Sequence, residues 1–392
     1  MIEGKETLSG GAVLRYGMVG GGAGSFIGEV HRKAVAFDNT ARLVAGCFSR
    51  NFQNTLATGA SLGVAGERLY RDYEEMAAGE AARRDGIDFV VIVTPNHAHY
   101  GAAKAFLTRG VHVVCDKPLT FTVAEAEELG QLARERNLLF GVTYTYSGYP
   151  LVKQAREMIR RGDIGAIRVV MGEYPQDWLA TPAEAAGNKQ AAWRTDPRYA
   201  GISNCVGDIG SHIEHTVSYI TGLRIQSLCA NLQSFGPDRA LDDNGEVLVR
   251  YAGGASGVYW CSQIAVGHDN GLKVRIFGTK GSIEWEQENP NYLKVALLGQ
   301  PVQILSRGCG YLYPPAARLA RIPSGHPEGY YEAFANLYAA FGAALTKHRA
   351  GLALTEDDLD FPTAAAGIDG VKFINCCVES SQRGSVWVEL DS

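Results

Sequence analysis

The sequence predicts two domains of mixed α and β structure. The first is a doubly wound α/β unit on a parallel sheet. The second is an α+β unit on a large, mostly antiparallel, open-faced sheet. Three observations carry this. At 392 residues the chain exceeds the size at which a single hydrophobic core stops growing. Up to about residue 145, apolar runs of roughly five residues alternate with helical stretches, the pattern of strands buried on both faces. Beyond residue 150 the runs alternate apolar with polar side chains and are joined by glycine turns.

Five runs supply the first sheet: 12–20 (AVLRYGMVG), 42–49 (RLVAGCFS), 88–95 (DFVVIVTP), 111–118 (VHVVCDKP) and 138–144 (LLFGVTY). Helical stretches such as 97–110 and 122–137 separate them, which makes neighbouring strands parallel. A helix over 150–162 leads to a strand over 167–175. A loop rich in Ala, Pro and Gly fills 176–205, and another helix starts near Asp208. Strands follow at 245–254, 255–265, 272–279 and 281–287. Long helices close the chain over 327–349 and 363–384, the last packing back on the first domain. The domains divide as 1–145 and 146–392, with the boundary softest between 141 and 150.

Hydrophobic residues make up 46% and charged residues 20%, with a formal net charge of −5. Such a chain offers no basic surface to nucleic acid or to an anionic membrane. The stretch MIEGKETLSGGAVLRYG lacks the apolar centre of a secretion signal. No run reaches the roughly 18 apolar residues of a membrane span. The eight cysteines form no C-x-x-C pair and mostly sit in apolar runs, as expected of reduced thiols in a cytoplasmic protein.

The first strand runs into MVGGGAGSFIGEVH. A glycine turn between the first strand and first helix of such a sheet lets backbone approach a pyrophosphate, which the helix N-terminus then binds. The spacing G-x-G-x-x-G is met by Gly20 and Gly22, but its third position falls on Ser25, and the next glycine is Gly28. The loop is about three residues longer than the fingerprint. It predicts a Rossmann dinucleotide-binding domain with Gly20, Gly22, Ser25, Phe26 and Ile27 at the cofactor. The second strand ends GCFSRN, with no carboxylate for a ribose diol. Ser49 and Arg50 stand there instead, and an arginine grips a 2′-phosphate, so the expectation leans to NADP over NAD.

Further on, VTPNHAH (93–99) closes the third strand, CDKPLT (115–120) the fourth, and GDIGSHIEH (207–215) lies in the second half. With the long glycine loop, these segments resemble the Gfo/Idh/MocA oxidoreductases over nearly the whole chain. The resemblance is strongest over 14–150 and is one of pattern beyond 222. It implies a nicotinamide-dependent enzyme working between a secondary hydroxyl and a ketone of a sugar, glycoside or cyclitol, as a homodimer or homotetramer. The family carries Glu-Lys-Pro at the fourth strand. Here Asp116 shortens the acid, while Lys117 and Pro118 match. The resemblance places Lys117 beside the nicotinamide, often with a cis bond before the proline, and makes His212 the general acid/base. Asp208, four residues earlier, shares a helical face with His212 and would orient the substrate hydroxyls. The chemistry agrees: a hydroxyl proton needs a base near the working pH, and an ammonium stabilises a developing alkoxide.

Thr94, Pro95, Asn96 and His99 lie where doubly wound folds bind ligands and are assigned to the cofactor, together with Asp116, Lys117 and Pro118. Tyr144, Tyr146, Trp193, Arg194 and His215 are candidates for a polyol or sugar. No metal is expected: on a helix Glu214 points about 160° away from His212, which leaves too few converging ligands. Three rival functions stand beside the dehydrogenase: a tightly bound nicotinamide recycled in a non-redox sugar reaction, a reductase, and a cofactor-sensing protein without catalysis.

Overall fold

The computed structural model describes residues 13–390; residues 1–12, where the stretch read against a secretion signal begins, lie outside it. The first sheet is built from β1 (Leu14–Gly20), α1 (Phe26–Ala36), β2 (Ala41–Cys47), α2 (Phe52–Ser61), α3 (Tyr73–Ala81), β3 (Phe89–Val93), α4 (His99–Thr108), β4 (His112–Cys115), α5 (Val123–Glu135) and β5 (Phe140–Val142). Its strands are parallel in the order β2-β1-β3-β4-β5. Every residue of β3 and β4 is buried, as their mainly apolar runs require; the one polar member, His112, accepts from Leu139 N at 2.9 Å. The order reverses between β1 and β3, so a crevice opens beyond their carboxyl ends. The fifth strand is shorter than the 138–144 run, because the chain leaves the sheet at Thr143 and turns.

The second sheet follows α6 (Pro150–Arg160), β6 (Ile167–Pro175), α7 (Lys189–Arg194), α8 (Pro197–Ala200), a π-turn (Val206–Gly210) and α9 (Ser211–Thr221). Next come β7 (Ile225–Gln233), β8 (Asn244–Tyr251), β9 (Ser256–Ser262), β10 (Lys273–Gly278), β11 (Gly281–Glu286), β12 (Tyr292–Leu297), β13 (Gln303–Ser306), α10 (Pro314–Ala317), α11 (Tyr330–Arg349), α12 (Ala364–Gln382) and β14 (Val388–Glu389). Nine strands run β13-β12-β11-β10-β6-β9-β8-β7-β14, antiparallel except for the β6–β9 pair. Helices α6, α9 and α12 pack on one face. On the other, Val169, Leu248, Val258 and Phe277 are exposed.

The expected strands did not include β7. Its run IQSLCANLQ is short of large apolar residues, and its edge is held from outside: Ser380 and Ser381 of α12 accept from Ala230 N and Leu232 N, each within 2.9 Å. The 176–205 loop contains α7 and α8, and Arg239 pins it through Glu184 at 2.9 Å and the Thr181 carbonyl at 3.0 Å. Helix α11 lies on α1 and covers one face of the first sheet with Phe334, Leu337, Tyr338 and Phe341. A parallel sheet must be covered on both faces, and here a helix from late in the sequence does it. Helix α12 packs on α5 and on β7. Among the described residues no helix is long and apolar enough to cross a membrane.

Candidate active site

The glycine loop forms a tight cradle at the switch point. Gly20, Gly21 and Gly24 have φ of 83°, 71° and 80°, which side chains rarely adopt. A Cβ on Gly28 would lie 2.3 Å from the Gly21 Cα, and one on Gly22 would lie 2.9 Å from the Phe48 carbonyl. Gly28 therefore takes the close-packing role of the third fingerprint glycine, one turn into α1. Ser25 caps that helix by accepting from Gly28 N at 3.2 Å. Phe26 opens α1 and is 65% exposed, while Ile27 packs partly into the core. This cradle of bare backbone and helix N-terminus fits a pyrophosphate. At the β2 tip Ser49 N donates to Thr55 Oγ1 at 3.0 Å and Arg50 is exposed.

Two turns flank the crevice. His99 is buried between them, its Nδ1 2.8 Å from the Pro118 carbonyl and its Nε2 2.9 Å from the Thr94 carbonyl. Asn96 donates to the Ala200 carbonyl at 3.1 Å, joining this edge to α8; it does not cap a helix. The Lys117–Pro118 bond is cis. Asp116 Oδ1 accepts from Thr143 Oγ1 at 2.5 Å and from Lys117 N at 3.2 Å, so the shortened acid braces its own turn. Behind it His31 lies 4.0 Å away, its other nitrogen 2.6 Å from Tyr338 OH.

Asp208 is the hub. Its Oδ1 accepts from Lys117 Nζ at 2.8 Å, and its Oδ2 from Arg194 Nε at 3.0 Å and Gln263 Nε2 at 3.1 Å. Lys117 also donates to the Asp208 carbonyl at 2.5 Å. Burial by itself would raise the Asp208 carboxyl; the Arg194 and Lys117 cations overcome it and hold the group well below the usual carboxylate range. Asp208 sits in the π-turn rather than in the α-helix the spacing suggested. Gly207 and Gly210 are poor helix formers, and a Cβ on Gly210 would press on Cys261 Sγ at 3.2 Å. Single π-turns recur at functional sites.

His212 is buried, ringed by Tyr146 at 4.7 Å, Tyr144 at 5.7 Å and Tyr174 at 6.2 Å between ring centroids. Its pKa is pushed well below the ordinary value, first by burial and next by the Lys117 ammonium, with Asp208 opposing. Both effects favour the neutral imidazole, whose Nδ1 has no partner. Tyr146 OH meets Tyr174 OH, which donates to Asn270 at 2.7 Å. Arg194 lies 4.2 Å from the Trp193 ring and 5.9 Å from Trp178.

The structure thus brings together Lys117, Asp208, His212, Arg194, Trp193 and Tyr146. Tyr144 and His215 are buried beside them and stack on each other at 4.3 Å, with Tyr144 also against His212. Among the described residues no group of three metal-ligating side chains converges. Sequence reasoning missed Gly21, Thr143, Tyr174, Gln263 and Asn270 as members of the site. Gly21 stood in the quoted loop; the amides and hydroxyls carry no spacing signal, because β6, β9 and the loops reach the site only through the fold.

A dinucleotide cradle beside a lysine, a carboxylate and an imidazole defines the class, a nicotinamide-dependent oxidoreductase. Residues 14–144 match the oxidoreductase family with an NAD-binding Rossmann fold, and residues 152–284 match the GFO/IDH/MocA C-terminal domain. The chain belongs to the Gfo/Idh/MocA oxidoreductase family. It is 42% identical to the uncharacterized oxidoreductase YfiI of Bacillus subtilis over 100% of both chains. An inositol dehydrogenase homologue from Azotobacter vinelandii, solved with NAD⁺, superposes with a TM-score of 0.92 at 42% identity, covering 96% of this chain and 97% of that one. An inositol dehydrogenase homologue from the same organism was also solved with NADH and myo-inositol. Levoglucosan dehydrogenase of Pseudarthrobacter phenanthrenivorans is 29% identical over 80% of this chain and 86% of its own.

Proposed function

We propose that the protein is an NAD(P)-dependent dehydrogenase of a secondary hydroxyl, or the matching ketone, on a sugar, glycoside or cyclitol. One observation carries this reading. Lys117 from the first sheet meets Asp208 from the helical layer of the second, with neutral His212 on the same layer. When bound, the nicotinamide supplies the hydride acceptor or donor. Oxidation breaks the substrate C–H and O–H bonds and leaves a carbonyl. The hydroxyl proton passes to the neutral imidazole of His212. The Lys117 ammonium stabilises the oxygen as charge develops on it. Asp208 aims Lys117 and orients the substrate hydroxyls, and Asp116 holds the turn. Tyr146, Trp193 and Arg194 line the substrate side; Tyr144 and His215 support it from the core. Thr94, Pro95, Asn96, His99 and Pro118 shape the cofactor edge.

For the cofactor, Ser49 and Arg50 at the β2 tip support NADP, whereas the solved relative binds NAD(H). The reading that accommodates both is a site accepting either dinucleotide, with Arg50 setting the affinity for NADP. The uncovered face of the nine-stranded sheet supports a homodimer or homotetramer. The eight cysteines, all among the described residues and none in a disulfide, support a cytoplasmic location. The experiment is a panel of inositols, aldoses and anhydrosugars with NAD⁺ and NADP⁺, followed by nicotinamide absorbance. Turnover of a polyol, lost in Lys117→Met and His212→Ala, supports the reading. Unchanged rates in both variants on that substrate would sink it.

A further inference from the structure

Gln263 follows β9, is completely buried, and has its main chain pinned. Its N–H donates to the Asp243 carbonyl at 2.8 Å, and its carbonyl accepts from Leu179 N at 2.9 Å. Its side chain lies between two fixed groups. The nitrogen donates to Asp208 Oδ2 at 3.1 Å, and the oxygen accepts from Asn204 Nδ2 at 2.7 Å. Asn204 Nδ2 also donates to the Asp242 main-chain carbonyl at 3.1 Å. A carbonyl only accepts, so this end of the chain sets the polarity. Asn204 must turn its nitrogen to Asp242, Gln263 must turn its oxygen to Asn204, and the Gln263 nitrogen then faces Asp208. A flipped Gln263 amide would set its oxygen against the Asp208 carboxylate.

The same layer holds the helix itself. The Asp242 carboxylate accepts from Asn204 N at 2.9 Å and Val206 N at 2.8 Å, at the entrance to the π-turn. Asp208 Oδ2 is thus shared by a neutral amide, Gln263, and the Arg194 cation, while Oδ1 faces the Lys117 cation. We propose that Gln263, oriented by Asn204, is a positioning residue that keeps Asp208 turned so that Oδ1 meets Lys117. This rests on the reading of Lys117 and Asp208 given above. Arg194 shares Oδ2 but is less firmly held: its side chain is 23% exposed, whereas Gln263 is sealed. An arginine alone would pull the carboxylate toward solvent, and the buried amide opposes that pull.

The test compares Gln263→Met and Gln263→Glu with the unaltered enzyme, using whichever polyol of the panel it turns over. Gln263→Met fills the space without donating. It should lower kcat by about tenfold to a hundredfold and leave dinucleotide binding intact. In its ligand-free crystal structure the Asp208 carboxylate should be rotated and its contact with Lys117 lost. Gln263→Glu should be slow at neutral pH and recover as pH falls, because a protonated carboxyl at position 263 restores a donor to Asp208 while an ionised one repels it. A purely structural residue would give the two variants parallel pH profiles. Rates within about twofold of the unaltered enzyme, or an unmoved Asp208–Lys117 pair, overturn the inference. Loss of secondary structure in both variants also overturns it, since the amide would then serve the core. Asp208→Asn separates the two levels. If that variant is itself normal, the reading of the site fails; if it is slow while Gln263→Met is normal, only the inference fails.

Discussion

Lys117 donates twice to Asp208, to its main-chain carbonyl at 2.5 Å and to Oδ1 at 2.8 Å, across 91 residues of sequence. The pair joins the end of a parallel strand to a π-turn in the other half of the chain. Neither half alone contains the site, so chemistry depends on how the two sheets dock.

The first prediction tests that pair. Lys117→Met should lower kcat/KM by about 10²–10³-fold, the usual effect of deleting one donor aimed at developing charge. His212→Ala should cost about 10²–10⁴-fold, the range for a general base. Steady-state kinetics on the substrate identified above check both. A lysine variant that raises KM alone would mean Lys117 only binds substrate.

Arg50→Ala should weaken NADP⁺ binding by about tenfold or more, the worth of a charge-assisted hydrogen bond, and leave NAD⁺ nearly unchanged. Titration of the ligand-free protein with each dinucleotide reads this directly. Equal losses for both would assign Arg50 to the shared pyrophosphate or to the fold.

Gly28→Ala should abolish dinucleotide binding while leaving the second sheet folded. Its Cβ would meet the Gly21 Cα at 2.3 Å, and backbone on both sides cannot yield. Calorimetric titration with NAD⁺, alongside circular dichroism, distinguishes a displaced cradle from an unfolded chain.

Acid should destabilise the fold between about pH 6.5 and pH 4. Burial pushes His31 and His112 down to about 4 and His215 down to about 3, and His212 falls well below its ordinary value. In that window the unfolded chain binds protons that the folded chain refuses, so stability falls as pH falls. Each histidine contributes on the order of 1.4 kcal/mol per pH unit there. Buried Glu214, raised to about 8 by burial and by Asp369, acts in the opposite sense between about pH 4.5 and 8. The histidines outnumber it, so Tm should drop from pH 6.5 to pH 5. A Tm that rises over that interval would show that these rings are charged in the fold.

The parallel sheet and the glycine cradle were legible in the amino-acid order alone, through local signals: apolar runs and a glycine turn before a helix. The polar step at Lys117 was visible there too, while Asp208 and His212 were picked out by resemblance to a known family. The remainder emerged only from the folded chain. Packing put α11 over the first sheet, because an uncovered parallel face must find a helix wherever the chain offers one. It recruited β7 through the hydroxyls of α12, a stabilisation that β7's own sequence does not display. It turned Asp208 onto a π-turn and set Gln263 against it, and it stacked Tyr144 on His215. Spacing reports which residues share a helix face. Only packing between distant segments decides which of them reach a common pocket, because burial and hydrogen bonding are satisfied there by partners far away in sequence.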